Sequence, residues 1–359
     1  MKKTAFVIGG IAAGLAFPAW AGEVSYGVEG QVSGAYGYSD IRPRHHGVGK
    51  GSVYSYVEYE FDADSSMSAH LDLMGGVDKE LKDYNQGDWG EEVWANADTK
   101  YGQVMAGQVY NVASLLHSGA PMAGVLSSNS EVADFLHNPN WRRTKKETRF
   151  ATLNATDINT DGVAPKISYI TPEVWGSALG VSWMPDSYNR RGLINKHAGY
   201  AHKDGFAAGV YSDHRWGNIN SKTSLGYAQY HGNDKEFSAG LNLNRGNWTL
   251  GGGVRKTYID GDDKSTPKRE LPDDFDSYRE GYAWSIGAEY EIGPFATAVS
   301  YFRSKQHGAD NSNGVLVWSN KLQLNKYAEV YVAAARLNYR FNGEKDDGYA
   351  GVAGVGVNF

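Results

Sequence analysis

The amino-acid sequence predicts an all-β fold, a transmembrane antiparallel β-barrel of sixteen strands, with eighteen as the alternative count. Three observations predict it. Apolar and polar residues alternate with a period of two through most of the chain, tight turns alternate with long polar connections, and the last alternating row ends on Phe359. A period of two marks a strand with one apolar and one polar face. Only a closed sheet can carry such strands across lipid without unpaired backbone groups.

The first element is not a strand. Lys2 and Lys3 precede an apolar run from Ala5 to Phe17, and Ala19-Trp20-Ala21 follows. A positive start, a run shorter than the roughly 20 apolar residues of a spanning helix, and an A-x-A site predict a cleaved secretory signal peptide over 1–21. Residues 22–359 then form one barrel domain. Without Lys2 and Lys3 the formal charge is -8, from 33 basic and 41 acidic side chains, which argues against nucleic acid as a partner. The chain has no cysteine, so an exported protein of this sequence depends on packing and backbone pairing instead of disulfides. Mean hydropathy is -0.50, and no long apolar run follows Phe17, so no transmembrane helix is expected.

The strands follow in order. "EVSYGVEGQVSGAYGYS" puts Val24, Tyr26, Val28, Val32, Tyr36 and Tyr38 on one parity and Glu23, Ser25, Glu29, Gln31 and Ser33 on the other. The same alternation runs through "SVYSYVEYEF", "SMSAHLDL", "EFSAGLNLN", "GYAWSIGAEYEIG" and "EVYVAAARLNYRF". Candidate strands begin near residues 23, 52, 67, 91, 103, 165, 176, 195, 205, 219, 235, 247, 281, 295, 314, 327 and 348. That is one more than an even number, and both termini on one side of a membrane require an even number. The surplus is placed in 205–231, read as one long strand and a loop, which leaves sixteen; a missed strand inside 142–164 would give eighteen.

The connections fall into two classes. "DADSS" (62–66), "KYG" (100–102), "TPEVWG" (171–176), "KDG" (203–205), "RGN" (245–247), "GPF" (293–295) and "NKYA" (325–328) read as tight turns, several with Gly or Pro where turn geometry needs them. Residues 75–90, 111–164, 259–280 and 306–314 read as long loops. Transmembrane barrels show this asymmetry, with short periplasmic turns, long external loops and aromatic girdles. The row Tyr349, Val355, Val357 and Phe359 then faces lipid on the strand that closes the barrel against the first one.

No chemistry-bearing motif stands out. No G-x-S-x-G elbow with a plausible setting appears, and the glycines of "TLGGGV" lack the helix that phosphate binding requires, so they read as close-packed wall. "DGDDKSTPKRELPDDFD" (260–276) has no EF-hand spacing and reads as a solvated external loop. His45-His46 reads as a loop pair. No cofactor and no metal site are expected.

Four stretches carry a resemblance to a known family. "EEVWANADTKYGQVMAGQVYN" (91–111), "KISYITPEVWGSALGVSW" (166–183), "LQLNKYAEVYVAAARLNYRF" (322–341) and the terminal row ending in Phe359 together resemble the general porins of Gram-negative outer membranes. The resemblance implies a homotrimer in the outer membrane, in contact with the bilayer and with lipopolysaccharide. It further implies insertion by the assembly machinery that reads Phe359, and a water-filled channel for passive diffusion of small hydrophilic solutes and ions. It also implies a third loop folded into the lumen, here Tyr110 to Trp141, with acidic residues facing a basic wall. Glu131 and Asp134 are the acidic candidates; Arg142, Arg143, Lys145, Lys146 and Arg149 are the basic ones, with Arg42 and Arg44 beside them. The family's loop tip is replaced by "GAPMAGVLSSNS". An adhesin or structural barrel is the alternative function, and a barrel hydrolase a more distant one.

Overall fold

The computed structural model describes residues 22–40, 44–78, 90–123, 153, 155–186, 203–230, 234–258, 280–307, 310–341 and 344–359. Sixteen strands follow one another: β1 (Glu23–Ser39), β2 (Arg44–Asp62), β3 (Ser65–Asp78), β4 (Gly90–Thr99), β5 (Gly102–Gln108), β6 (Pro165–Ile170), β7 (Ser177–Asp186), β8 (Lys203–Trp216), β9 (Ile219–Gln229), β10 (Lys235–Arg245), β11 (Trp248–Tyr258), β12 (Gly281–Ile292), β13 (Phe295–Gln306), β14 (Ser312–Asn325), β15 (Ala328–Phe341) and β16 (Glu344–Asn358). Every strand pairs antiparallel with its neighbours in sequence, and β1 pairs with β16, so the sheet closes with no free edge. Among the described residues between β5 and β6 is one helical turn, α1 (Val112–Leu115).

Closure is made residue by residue. The β1–β16 register runs from Gln31 opposite Asn358 to Tyr38 opposite Gly351. Past it, Gly30 and Phe359 exchange both backbone hydrogen bonds, at 2.8 and 2.9 Å. The Phe359 ring lies where a Cβ on Gly30 would stand, so the terminal aromatic covers the glycine on the outer face. Tyr349, Val355 and Val357 share that face and are exposed.

One parity of the barrel is apolar and largely exposed, with Val28, Leu179, Val210, Leu225, Leu241, Val254, Ile286, Val299, Trp318 and Val332 on it, while on β2 and β3 the same parity holds buried Tyr59 and Leu71. Bands of aromatic residues bound this surface. Tyr101, Trp175, Trp216, Trp248 and Tyr327 stand exposed at the short-turn end. Toward the other end Trp183 faces Phe206, Tyr227 packs on Phe237 and Phe237 on Tyr258. Trp248 and Tyr258 are the two ends of β11; at ~3.3 Å per residue and a tilt near ~40°, such a strand spans about 25 Å, the height of a barrel's apolar band.

Several sequence expectations change. Residues 205–231 hold two strands, β8 and β9, joined at Gly217-Asn218, where Gly217 has φ +62°. The Gly-Asn pair is a hairpin signal that the polar run around it concealed. The surplus candidate is the one near 195, which falls outside the described residues. "KDG" is no turn but the start of β8; Asp204 does adopt φ +61°, so the turn-like backbone is real and opens a strand. The 306–314 loop shrinks to 307–311, because β13 and β14 run further than their apolar residues do. The strands span 6 to 19 residues (β6 and β2), on both sides of the ~9–11 residues that cross a bilayer at the usual tilt. His45 and His46 are not loop residues: their backbone lies in β2, opposite Tyr38 and Gly37.

Candidate channel lumen

The parity opposite the apolar surface faces the interior, and its exposure differs around the circumference. On β1 to β5 the interior residues are mostly half-exposed, among them Gln31, Ser33, Ser52, Tyr54, Tyr56, Glu58, His70, Asp72, Glu92, Trp94, Asn96 and Asp98. On β6 to β13 the interior residues of the long-loop half are buried: Lys166, Ser168, Ser182, Met184, Ala207, Ser224, Ala228, Glu236, Ser238, Arg255, Ala283, Ser300 and Phe302. A third sector, β14 to β16, presents buried Val315, Val317, Ala333, Ala335, Leu337, Ala350 and Val352. Solvent therefore reaches the interior wall chiefly along β1 to β5.

What buries β7 to β13 is the segment between β5 and β6. Its outgoing leg, Val109–Ala123, crosses the interior wall strand by strand. A Cβ on Gly180 of β7 would stand 2.8 Å from Val112 Cβ, on Gly209 of β8 2.8 Å from the Val112 carbonyl, and on Gly253 of β11 3.0 Å from His117 Nε2. Gly226 meets Ala113, Gly240 the Ser118 carbonyl and Gly287 the Pro121 carbonyl; Ala123 packs on Ala296 and Ala298 of β13. Glycine at these positions lets one backbone lie on another. The returning leg runs back from Leu153 against Ala283 and Phe302 to Ile158 among Ala113, Met184, Ala207, Ala228 and Tyr230.

Polar groups bind the two legs to each other and to the wall. Asn111 caps α1, its Oδ1 accepting from Ser114 N at 3.0 Å, while its Nδ2 donates to the Ile158 carbonyl at 2.8 Å and to Asp161 Oδ1 at 2.5 Å. Asp161 is ion-paired with Lys166 of β6 at 2.9 Å, both side chains fully buried, and accepts from Tyr230 Oη at 3.2 Å. Lys166 also donates to the carbonyls of Val109 and Gly162. Further round the wall, Arg255 of β11 pairs with Glu236 of β10 at 2.7 Å. The same guanidinium donates to Asn159 Oδ1 and Thr160 Oγ1, both at 2.7 Å, and Thr160 in turn donates to Glu236. Buried charges are tolerated only when paired and hydrogen-bonded, and these pairs are satisfied jointly by wall and segment. Further along, Ser118 N donates to Ser224 Oγ at 2.9 Å and Val112 N to Ser182 Oγ at 3.0 Å.

The predicted constriction residues are, with one exception, not among those described. Glu131, Asp134, Arg142, Arg143, Lys145, Lys146 and Arg149 lie outside the described residues, as does Arg42; Arg44 is the first residue of β2, opposite Ser39. The described wall instead brings together residues that were not singled out: Glu29, Glu58, Asp72 and Glu92 on β1 to β4, and the buried pairs above. For those on strands the signal was present, since each occupies the interior parity; Asp161 lies in the returning leg, where alternation gives none.

This geometry agrees with the comparisons. A family model described as Gram-negative porin matches residues 6–342. The chain belongs to the Gram-negative porin family. Solved structures share the fold of this porin: an anion-selective porin from Comamonas acidovorans (TM-score 0.63, 14% identity, 94% of this chain and 100% of that one), Salmonella typhi OmpF in complex with daunomycin (0.63, 12%, 93% and 97%), and the trimer form of Vibrio cholerae OmpT (0.55, 11%, 94% and 99%). At these identities the likeness is one of fold alone. No curated protein matches the porin by sequence. The family and the closed sixteen-stranded barrel make it an outer-membrane channel protein.

Proposed function

We propose that this porin is a passive, non-catalytic homotrimeric channel for small hydrophilic solutes, with a preference for cations. The observation that carries the preference is the exposed interior wall of β1 to β4: Glu29, Glu58, Asp72 and Glu92 lie there, and no ion pair among the described residues reaches them. Permeation responds to the charges lining the open path, more than to the total charge of the molecule. The legs lying on β7 to β13 support a narrowing by the whole segment 109–164. Glu131 and Asp134, with Arg142, Arg143, Lys145, Lys146 and Arg149, then border the passage, and Arg42 and Arg44 stand near its β1–β2 side. Residues 1–21 direct export and are removed. The aromatic bands match a bilayer and a lipopolysaccharide surface, and Phe359 is the group the assembly machinery reads.

Reversal potentials across a planar bilayer with a KCl gradient test the reading. A cation-to-anion permeability ratio above one supports it. A ratio below one means that the basic residues of 142–149 dominate, and absence of conductance favours a structural barrel.

A further inference from the structure

The exposed wall of β1 to β5 carries more than charge. Tyr54 and Tyr56 of β2, His70 of β3 and Trp94 of β4 form one aromatic cluster facing the interior. His70 and Trp94 stack with ring centroids 4.8 Å apart and planes 12° from parallel. Tyr54 stacks on His70 at 5.8 Å, lies 6.2 Å from Trp94 and 5.9 Å from Tyr56.

The rings are held in place. The Tyr54 hydroxyl meets His70 Nδ1 at 2.5 Å, and Ser68 Oγ and Asn96 Nδ2 meet Nε2 at 2.7 and 3.2 Å. Gly27 leaves room for the Tyr56 ring, and Gly107, at φ +145°, lets β5 lie close against the backbone of Val93 and Trp94. With both imidazole nitrogens engaged, His70 serves the cluster and is not free to bind a metal.

Carboxylates surround the rings. Glu29 on β1 and Asp72 on β3 stand in register with Tyr54 on either side, Glu92 stands opposite Asp72, and Glu58 follows Tyr56 on the same face. Asp72 Oδ1 and Asn96 Oδ1 are sealed from solvent and have no hydrogen-bond partner. The four carboxylates are spread over neighbouring strands about 4.8 Å apart. Among the described residues no three His, Asp or Glu side chains converge as a metal site.

We propose that this wall is a binding site for organic cations that carry an aromatic or quaternary ammonium group. Spread carboxylates beside fixed aromatic faces suit a weakly hydrated cation with an apolar body, which gains cation–π attraction without the cost of stripping tightly held water. A small inorganic cation gains only the Coulomb part. The inference rests on the reading of β1 to β5 as the border of the open path, and it adds a ligand class and a residence site to that path.

Single-channel recording separates the two. KCl conductance without additive establishes that the path is open; its absence refutes the path and leaves no ligand measurement to interpret. With the channel open, benzyltrimethylammonium is added and compared with tetramethylammonium and with neutral benzyl alcohol. The expected result is a block by benzyltrimethylammonium at concentrations about tenfold below those needed for tetramethylammonium, and none by benzyl alcohol. Trp94→Leu should weaken that block about tenfold while retaining KCl conductance; Glu58→Gln with Glu92→Gln should weaken it about tenfold, read as the blocked fraction of each variant's own KCl current. The charge variants leave the rings in place, so they test the proposal even where Trp94→Leu fails to fold. Equal block by the two cations, or wild-type block in the charge variants, would overturn it.

Discussion

Arg255 and Glu236 show how one charged pair can decide the shape of a passage. Their side chains are 0% and 4% exposed, and the same guanidinium holds Asn159 and Thr160 of the returning leg. Removing one partner of such a pair leaves a buried charge without compensation, at a cost of about 3–5 kcal/mol, whereas replacing both by apolar groups is often nearly neutral. Arg255→Met should therefore lower the heat-denaturation temperature of the barrel and make single-channel current noisy; Arg255→Met with Glu236→Met should recover most of the thermal loss but not the quiet current, because Thr160 and Asn159 lose their donor in both. His117 gives a second residue-level expectation. Burial holds its imidazole below the usual range, Asp157 opposing and Arg255 adding to that effect; its Nε2 meets Thr156 Oγ1 at 3.1 Å. Since the folded protein binds the proton less readily than the unfolded chain, the contribution of neutral His117 is present above about pH 6.5 and is lost as pH falls toward the lower folded value. Conductance noise rising between pH 7.5 and 5 in the wild type, and not in His117→Asn, is the outcome to look for.

At the scale of elements, the outer half of each strand was legible in the sequence and the inner half was not. Val24, Tyr26 and Val28 or Leu241 and Leu243 declare a lipid-facing row by alternation alone, because lipid asks only for apolar side chains. Glu236 and Glu289 look alike in such a reading, both on the polar parity of a strand. The first is buried beneath the returning leg and the second half-exposed on β12, a difference set by where a distant segment lands. The glycines record that landing. Gly253, within "TLGGGV", lies beneath Thr156 and His117, and Gly180, Gly209, Gly226, Gly240 and Gly287 lie under the outgoing leg, yet in sequence they look like any glycine of a barrel. A Cβ on Gly240 would collide with the Ser118 carbonyl, a backbone atom that cannot yield as a flexible side chain does. Gly240→Val should leave the amount of folded barrel close to wild type, because the strand pairing is untouched, while changing the conductance. Wild-type conductance in this variant would mean that the leg does not border the passage. The terminal strand behaves differently: deleting Phe359 uncovers Gly30 and removes the last hydrogen-bonded pair, so folded protein in the outer membrane should fall while export continues, as a heat-modifiability assay of membrane fractions would register.

At the scale of the whole molecule, the barrel is regular in its strand order and asymmetric in its interior. Sixteen antiparallel strands close evenly, but a segment bound to β7–β13 and an apolar interior sector on β14 to β16 leave the polar, solvated wall on β1 to β5. Inside a narrow, partly walled path the effective dielectric is below that of bulk water, so a charge on that wall acts on a passing ion more strongly than one at a wide mouth. Asp213 at the short-turn end, with Lys222 3.8 Å away, is of the second kind: exposed, partly neutralised, and set where the lumen opens. Neutralising Glu29, Glu58 and Glu92 together should bring the cation-to-anion permeability ratio down toward one, whereas Asp213→Asn with Glu291→Gln should move it little. The comparison is internal to one channel and one salt gradient, so differences in insertion or in total charge do not enter. Equal shifts from the two sets of substitutions would show that ions sample the interior evenly, and that the open path does not lie along β1 to β5.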